Sequence, residues 1–422
     1  VTDRIGIPSD SGSAQAPRLP RATRPAVGSL GLLVLDLILR RLDVGRLELI
    51  WPDRPPLHFG PGGPPMATLV IRDPAAVRRL LFDGALGFAE GYLDGLWDTP
   101  DLASLLDLLA ANIRSGALEG RTAPGQPLRR LAHLARANTQ HGARRNIEYH
   151  YDLGNDFYRL WLDPTMTYSC AAFQDIPVEA SPIAPEDLLA SAQCAKWDSI
   201  LDLVDPAPGS RLLEIGSGWG GFAIHAAQTR DCRVVGITLS SEQLAHAREA
   251  AQEAHVDDRV EFRLQDYRDV DETFDHVVSI EMFEAVGERY WPVFFETVRR
   301  TLRPGGRAAI QVITIAEDRF AAYRRRPDFT QVYIFPGGML PSPSAFVDSA
   351  TEAGLTVGEP RFMADDYAST LLTWLARFDG ARDEVRALGF DDRFIRMWRY
   401  YLALCAAGFR NRLIDVMQVS LV

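Results

Sequence analysis

Lysine is almost missing from this chain: of its 45 basic residues only Lys196 is a lysine, and the rest are arginines. So lopsided a choice reads as the base composition of a genome, and a formal net charge of -11 speaks against general nucleic-acid binding. It leaves room for a local basic patch facing anionic lipid. Cysteine is sparse as well. Cys170, Cys194, Cys232 and Cys405 are far apart and form no CxxC, and the eight histidines form no HxxxH pair. That argues against a disulfide framework or a structural zinc, and no metal site is expected. No apolar run approaches the roughly 20 residues of a membrane span, and residues 1–25 hold no apolar stretch of the signal-peptide kind. The expected compartment is the cytoplasm.

What is present is ordinary for a globular protein, with 47% hydrophobic and 24% charged residues, and 422 residues are long for one core. Residues 1–25, rich in Ser, Pro and Arg, have nothing to bury and read as a disordered tail. Residues 26–118 read as a small α+β domain. It opens with SLGLLVLDLILRRL, a helix from Ser29 to Leu42 with Ser29 as N-cap and apolar residues on nearly every face. Such a helix is interior, or it lies at a surface and dips into a bilayer with its arginines among head groups. Two strand-like runs, GRLELIWP and ATLVIRDP, flank a turn-like DRPPLHFGPGGPP, and FDGALGFAEGYLDGLWD and LASLLDLLAANI read as helices with glycine breaks. A loose SGALEGRTAPGQP leads into a linker over 119–140.

From Arg211 strands and helices alternate, with LLEI, RVVGITL, VEFRLQD, FDHVVSI and RAAIQVITI as strands. The alternation predicts a doubly wound, Rossmann-like α/β domain, with ligands at the C-terminal ends of its strands. Trp398, Tyr400, Tyr401, Phe409 and Met417 read together as a C-terminal helix that packs in the core.

In LLEIGSGWGG (212–221), Glu214 ends a strand, and Gly216, Gly218, Gly220 and Gly221 turn the chain into a helix whose free N–H groups can meet a ligand. By itself the turn suits adenosylmethionine or a dinucleotide about equally, or is structural. A nicotinamide enzyme needs an acid at the next strand end to grip the ribose. Here the strand ends Thr238-Leu239-Ser240, with Gln243 following, and the third strand ends at Asp266 and Tyr267, which can hold and cover an adenine. The ligand therefore reads as adenosylmethionine.

The chain resembles the cyclopropane-fatty-acyl-phospholipid synthases and the related mycolic acid cyclopropane and methyl transferases. The matching pieces run in family order over roughly 141–420: EYHYDLGNDFYRLWLDPTMTYSC, LLEIGSGWGG, VVGITLSSEQ, LQDYRDV, SIEMFEAVG, IFPGGMLPS, DDYASTLLTW and MWRYYLALCAAGFRNRLIDVMQV. The resemblance implies a class I methyltransferase fold, with the catalytic domain over 141–422 and a smaller N-terminal domain before it. It also implies transfer of a one-carbon unit from adenosylmethionine to the double bond of an unsaturated phospholipid acyl chain. A carbocation forms on the chain, a base takes a proton from the new methyl, and a cyclopropane closes. The same transfer can instead yield a methylene- or methyl-branched chain, including from a diene. A cation that must survive without water calls for a dry site with aromatic faces; Tyr149, Tyr151, Phe157, Tyr168, Phe283, Tyr333 and Phe335 are candidates.

In the family the base is a bound bicarbonate. Carried over residue by residue, Cys170, Glu284 and Tyr367 match its cradle, with Ile313 offering backbone and Gln311 standing where the family has His. An amide can donate to an oxyanion but carries no proton charge at neutral pH. Tyr168, Gly216, Gly218, Gly220, Leu239, Gln243, Asp266 and Tyr267 are the expected cofactor residues. Two more departures lie nearby: Glu281 replaces a common Gly, and Ala285 a common His. Glu281 reads first as a contact to solvent or cofactor, and otherwise marks a subfamily whose cation has a different fate. Out of context, Cys170 is a buried small hydrophobe, Tyr367 a packed aromatic, Gln243 a helix-surface residue and His150 a core histidine. The expected partner is membrane phospholipid, met by peripheral contact at the inner face, with no nucleic acid and a homodimer left open. The rivals are a methyltransferase of nucleic acid or of a small polar metabolite, and a lipid-binding protein without activity.

Overall fold

The computed structural model describes residues 28–118, 153–173 and 186–422. The expected tail, the linker over 119–140, and Tyr149, His150 and Tyr151 lie outside them. The N-terminal unit is a sheet of β1 (Gly45–Ile50), β2 (Leu57–Gly62), β3 (Met66–Ile71) and β4 (Trp97–Asp98), in the order β2-β1-β3-β4. Helices Gly28–Leu39, Ala75–Leu93 and Leu102–Arg114 accompany it. The Pro/Gly-rich stretch expected to be a turn thus contributes β2, which pairs antiparallel with β1 because Leu47, Leu49 and Phe59 bury on one side. The expected glycine break is a kink at Gly84 (φ 61°). The first helix starts at Gly28, so Ser29 lies inside it and is not its cap. Among the described residues no helix is long and apolar enough to cross a membrane.

The larger sheet has seven strands: β5 (Arg211–Ile215), β6 (Arg233–Thr238), β7 (Val260–Leu264), β8 (Phe274–Ile280), β9 (Leu302–Ile315), β10 (Arg361–Phe362) and β11 (Ile414–Leu421), in the order β10-β11-β9-β8-β5-β6-β7. The run β9-β8-β5-β6-β7 is parallel, as alternating strands and helices require. β11 lies antiparallel to β9 and to β10. Met417 is therefore on a strand and not on the C-terminal helix: helix Asp392–Arg410 stops at Asn411, Arg412 turns at φ 53°, and IDVMQVSL enters the sheet with Val416, Met417, Val419 and Leu421 buried. Helix Asp392–Arg410 also receives the N-terminal unit, since one apolar cluster runs from Leu105 and Tyr92 into Trp398 and Tyr401. Arg399 Nη1 donates to the Tyr92 hydroxyl at 2.9 Å, and Asn411 Nδ2 to Asp107 at 2.7 Å.

Candidate active site

The turn after β5 takes its shape from its glycines. Gly216, Gly218 and Gly220 have φ of 90°, 52° and 94°. A Cβ on Gly216 would meet Met282 Cγ at 2.8 Å, and one on Gly220 would meet Phe262 Cζ at 2.8 Å, whereas one on Gly218 would have nothing within 4 Å. Gly216 and Gly220 are thus demanded by packing, and Gly218 is the position with an open side. Two buried oxygens at the turn, Glu214 Oε2 and Ser217 Oγ, have no partner. Burial pushes the Glu214 carboxyl up to about 8, against the pull of Lys196. Unsatisfied acceptors, an open backbone and a helix N-terminus fit a ligand that carries a cation and hydroxyls, as adenosylmethionine does. At the next strand end Thr238 Oγ1 donates to Gln243 Oε1 at 2.8 Å and Ser240 caps the following helix, and Gln243 is buried there. Leu239 between them is half-buried. The Asp266 carboxylate is taken up by Arg268, at 2.6 Å through Nη2, and the Tyr267 ring is buried against Phe294.

A packed aromatic cluster adjoins the turn. Trp219 donates through Nε1 to Asn155, and its ring lies 5.0 Å from Tyr158. Tyr158 is 5.7 Å from Tyr168, which in turn is 5.3 Å from Trp161 and 5.4 Å from Trp374. Tyr168 and Tyr401 share a hydroxyl hydrogen bond of 2.8 Å. Of the other candidate aromatics, Phe157 belongs to this cluster beside Trp398, Phe335 meets Tyr401, and Tyr333 bonds Glu90 of the N-terminal unit. Phe283 sits in a separate core with Phe294 and Phe346.

The residues expected around bicarbonate come together, and they close on a side chain of the chain itself. Glu281, just past β8, has φ 50°. Its Oε1 accepts from Cys170 N at 2.8 Å and from Gln311 Nε2 at 2.7 Å, and its Oε2 from the Tyr367 hydroxyl at 2.5 Å. Glu284 Oε1 accepts from Ile313 N at 2.5 Å, while its Oε2 is sealed without a partner. Each donor of the expected cradle is therefore already engaged by a carboxylate, and the arrangement does not fit a separate bicarbonate. The first reading of Glu281, as a contact to solvent or cofactor, gives way to this one. What Cys170 contributes is its backbone N–H, because burial raises its thiol well above the usual range.

Sequence reasoning counted Lys196 but gave it no role. It is fully buried on helix Glu186–Val204, Nζ donates to Ser169 Oγ at 2.7 Å, and Gln193, one turn earlier, donates to Ser169 O at 3.0 Å. Burial brings its pKa down to about 8, while Glu281, Cys170, Asp163 and Glu214 hold it up. A single lysine inside an arginine-rich chain, in the apolar stretch LLASAQCAKWDSIL, was the available signal. A second omission is Gln418, which donates to Gln311 Oε1 at 2.9 Å and accepts from Ser199 at 2.7 Å, fixing the amide so that its nitrogen points at Glu281. The pairing Gln311↔Gln418 across β9 and β11 sets this up. Glu281 and Glu284 are both pushed up by burial, Glu284 to about 8 with Glu281 as the second cause. Lys196 and the three donors favour the anion on Glu281.

A sheet of this order, with a glycine turn after β5, the middle strand of its parallel run, is that of a class I adenosylmethionine-dependent methyltransferase. Residues 138–419 match the family model for mycolic acid cyclopropane synthetase. The chain is 40% identical over 413 residues to tuberculostearic acid methyltransferase UfaA1 of Mycobacterium tuberculosis, covering 96% of this chain and 95% of that one. It is 35% identical over 363 residues to the cyclopropane-fatty-acyl-phospholipid synthase of Escherichia coli, covering 84% and 87%. Among solved structures, mycolic acid cyclopropane synthase CmaA1 complexed with SAH and CTAB superposes with a TM-score of 0.60 at 33% identity, over 66% of this chain and 97% of that one. The chain belongs to the mycolic acid cyclopropane synthetase family, and it is an adenosylmethionine-dependent enzyme of that type.

Proposed function

We propose that the enzyme adds a one-carbon unit to the double bond of an unsaturated phospholipid acyl chain and that loss of a proton closes a cyclopropane. The observation that carries this reading is the contiguity of glycine turn, aromatic cluster and carboxylate cradle. Trp219 joins the first to the second, and the Tyr367 and Trp374 rings, 6.2 Å apart, join the second to the third. When bound, adenosylmethionine supplies an electrophilic methyl group; Gly218, Glu214, Ser217 and Gln243 would hold it. The alkene is brought against this cluster, where the rings of Tyr168, Trp161 and Trp374 would stabilise positive charge on the chain and keep water away. An anion beside that cluster suits removal of the proton. Leu239, Asp266 and Tyr267 are proposed to act less directly, by shaping the adenine end through the Asp266–Arg268 pair. Purified enzyme, adenosylmethionine and vesicles of unsaturated phospholipid should give an acyl chain that has gained one CH2 and carries cyclopropane protons in its NMR spectrum. An unchanged acyl chain sinks the proposal, and a gained CH2 with alkene protons retained replaces ring closure by a branched product.

The substrate lies in a membrane, and the first helix offers a place to meet it. Leu32, Leu35 and Leu39 are buried, while Leu33 and Leu37, one turn apart on the other side, are 55% and 58% exposed. Phe82 (61%) and Leu81 of the neighbouring helix add to the exposed apolar surface, and Arg40 and Arg41 follow the first helix. Peripheral contact through this face is the proposed route to lipid. Leu33→Asp with Phe82→Asp should weaken binding to anionic phospholipid vesicles by about 100-fold, the cost of losing two large apolar groups, with adenosylmethionine affinity unchanged. Unaltered vesicle sedimentation would remove the face from the proposal.

A further inference from the structure

We propose that Glu281 is a built-in replacement for bicarbonate: its carboxylate is the catalytic base that removes the proton from the newly added methyl group. The inference rests on the carbocation reading of the site and deepens it by naming the base.

Three observations support it. The donors are those an external oxyanion would need: a backbone N–H from Cys170, an amide from Gln311 and a hydroxyl from Tyr367, at 2.8, 2.7 and 2.5 Å from the two carboxylate oxygens. They arrive from a loop, from β9 and from helix Ala364–Gly380, and Glu281 is 111, 30 and 86 residues away from them in sequence. Secondly, Glu281 holds a left-handed backbone at φ 50°, a conformation that disfavours a side chain by about 1–2 kcal/mol and that glycine takes freely. Such a position is held by a glutamate when the carboxylate is needed there. Thirdly, the residue meeting it is a glutamine. A histidine at 311 can exchange a proton with a bicarbonate, whereas Gln311 exchanges none; its oxygen accepts from Gln418, which Ser199 holds in place, so the group left to meet Glu281 is its N–H2 donor.

The proton balance closes without a further reagent. A C–H bond of the new methyl breaks, and its electron pair forms the C–C bond that closes the ring and discharges the cation. The proton goes to Glu281, converting carboxylate to carboxylic acid, and returns to solvent after the product leaves. A carboxylate pushed up by burial yet favoured as an anion by Lys196 and its donors is suited to this task near neutral pH.

The test is made on the full-length enzyme with unsaturated phospholipid vesicles in carbon-dioxide-free buffer. The wild type should turn over at the same rate with and without added bicarbonate. Glu281→Gln should lose about 10²–10⁴-fold in turnover, the range for a missing general base, with adenosylmethionine affinity kept as the control for folding. Glu281→Gly, which empties the cradle, should be equally slow without bicarbonate and should recover on its addition. Labelled bicarbonate observed by 13C NMR should bind Glu281→Gly and not the wild type, a readout independent of catalysis. A wild type that stops when carbon dioxide is removed, a wild type that binds labelled bicarbonate in the cradle, or a Glu281→Gln enzyme with full turnover overturns the assignment. If no variant and no wild type modifies any acyl chain, the proposed reaction fails, and the bicarbonate-binding experiment still decides whether Glu281 fills the cradle.

Discussion

Lys196→Met is expected to lower turnover at pH 7 by about 100-fold and to move the acid limb of the pH–rate profile upward, because an opposite charge nearby typically lowers a carboxylate's pKa by one to three units. Lys196 is the positive charge that favours ionised Glu281 and Glu214 from within the core. Methionine fills a similar volume without the charge, so a loss of packing alone would leave the pH profile in place. The same substitution has a signature in stability. The lysine's pKa falls from 10.5 in a free chain to about 8 in the fold. A group depressed in this way contributes stability above its unfolded pKa and loses that contribution as pH falls through the folded one. The wild type should therefore gain stability relative to Lys196→Met between pH 8 and 10.5. Glu214 runs the other way. Raised from 4.5 to about 8, it contributes stability at acid pH that is lost as pH rises through 8. Because the chain has one lysine, 15N-lysine labelling gives a single ammonium signal, and its titration reads the pKa directly. A signal titrating near 10.5, or a pH–rate profile that Lys196→Met leaves unmoved, refutes the role.

Much of the molecule was legible before any coordinates because its signals are local. Alternating apolar strands and amphipathic helices predict the parallel sheet, and GSGWGG marks the turn from β5 into the next helix. The cradle residues came from motifs, and three of them, Cys170, Gln311 and Tyr367, converge on Glu281, while Ile313 meets Glu284. What could not be read is who faces whom. Glu281 and Gln311 were both seen as departures, yet nothing within either motif shows that they compensate each other through one 2.7 Å hydrogen bond. Lys196, counted but given no role, and Gln418, not singled out, were missed for the same reason, since their importance lies in partners on other elements. β2 was hidden by composition: HFGPGG looks like a turn, and only pairing with β1 makes it a strand. Met417 was assigned to a helix because apolar residues continue past Arg410 without a glycine or proline to mark the stop; the break is made by Asn411 and Arg412.

The glycine turn yields a contrast that separates its two duties. Gly220→Ala is expected to destabilise the enzyme by about 2–5 kcal/mol, the sum of a left-handed backbone and an overpacked contact. The backbone there sits at φ 94°, and a Cβ would lie 2.8 Å from Phe262 Cζ and 3.0 Å from Ala247 Cβ. Neither neighbour can withdraw easily: Phe262 is buried in the sheet, and Ala247 belongs to the helix packed on it. Gly218→Ala meets no atom within 4 Å, and its φ of 52° is the left-handed value that side chains tolerate best. It should lose about 1 kcal/mol of stability and about 100-fold in adenosylmethionine affinity, because the added methyl projects from the only one of the three turn glycines whose Cβ direction is open. Thermal melts and calorimetric titrations of the two variants separate the cases. If Gly218→Ala bound the cofactor as well as the wild type, the open side of the turn would not be where the methyl donor lies, and Glu214 and Ser217 would need another ligand for their unpaired oxygens.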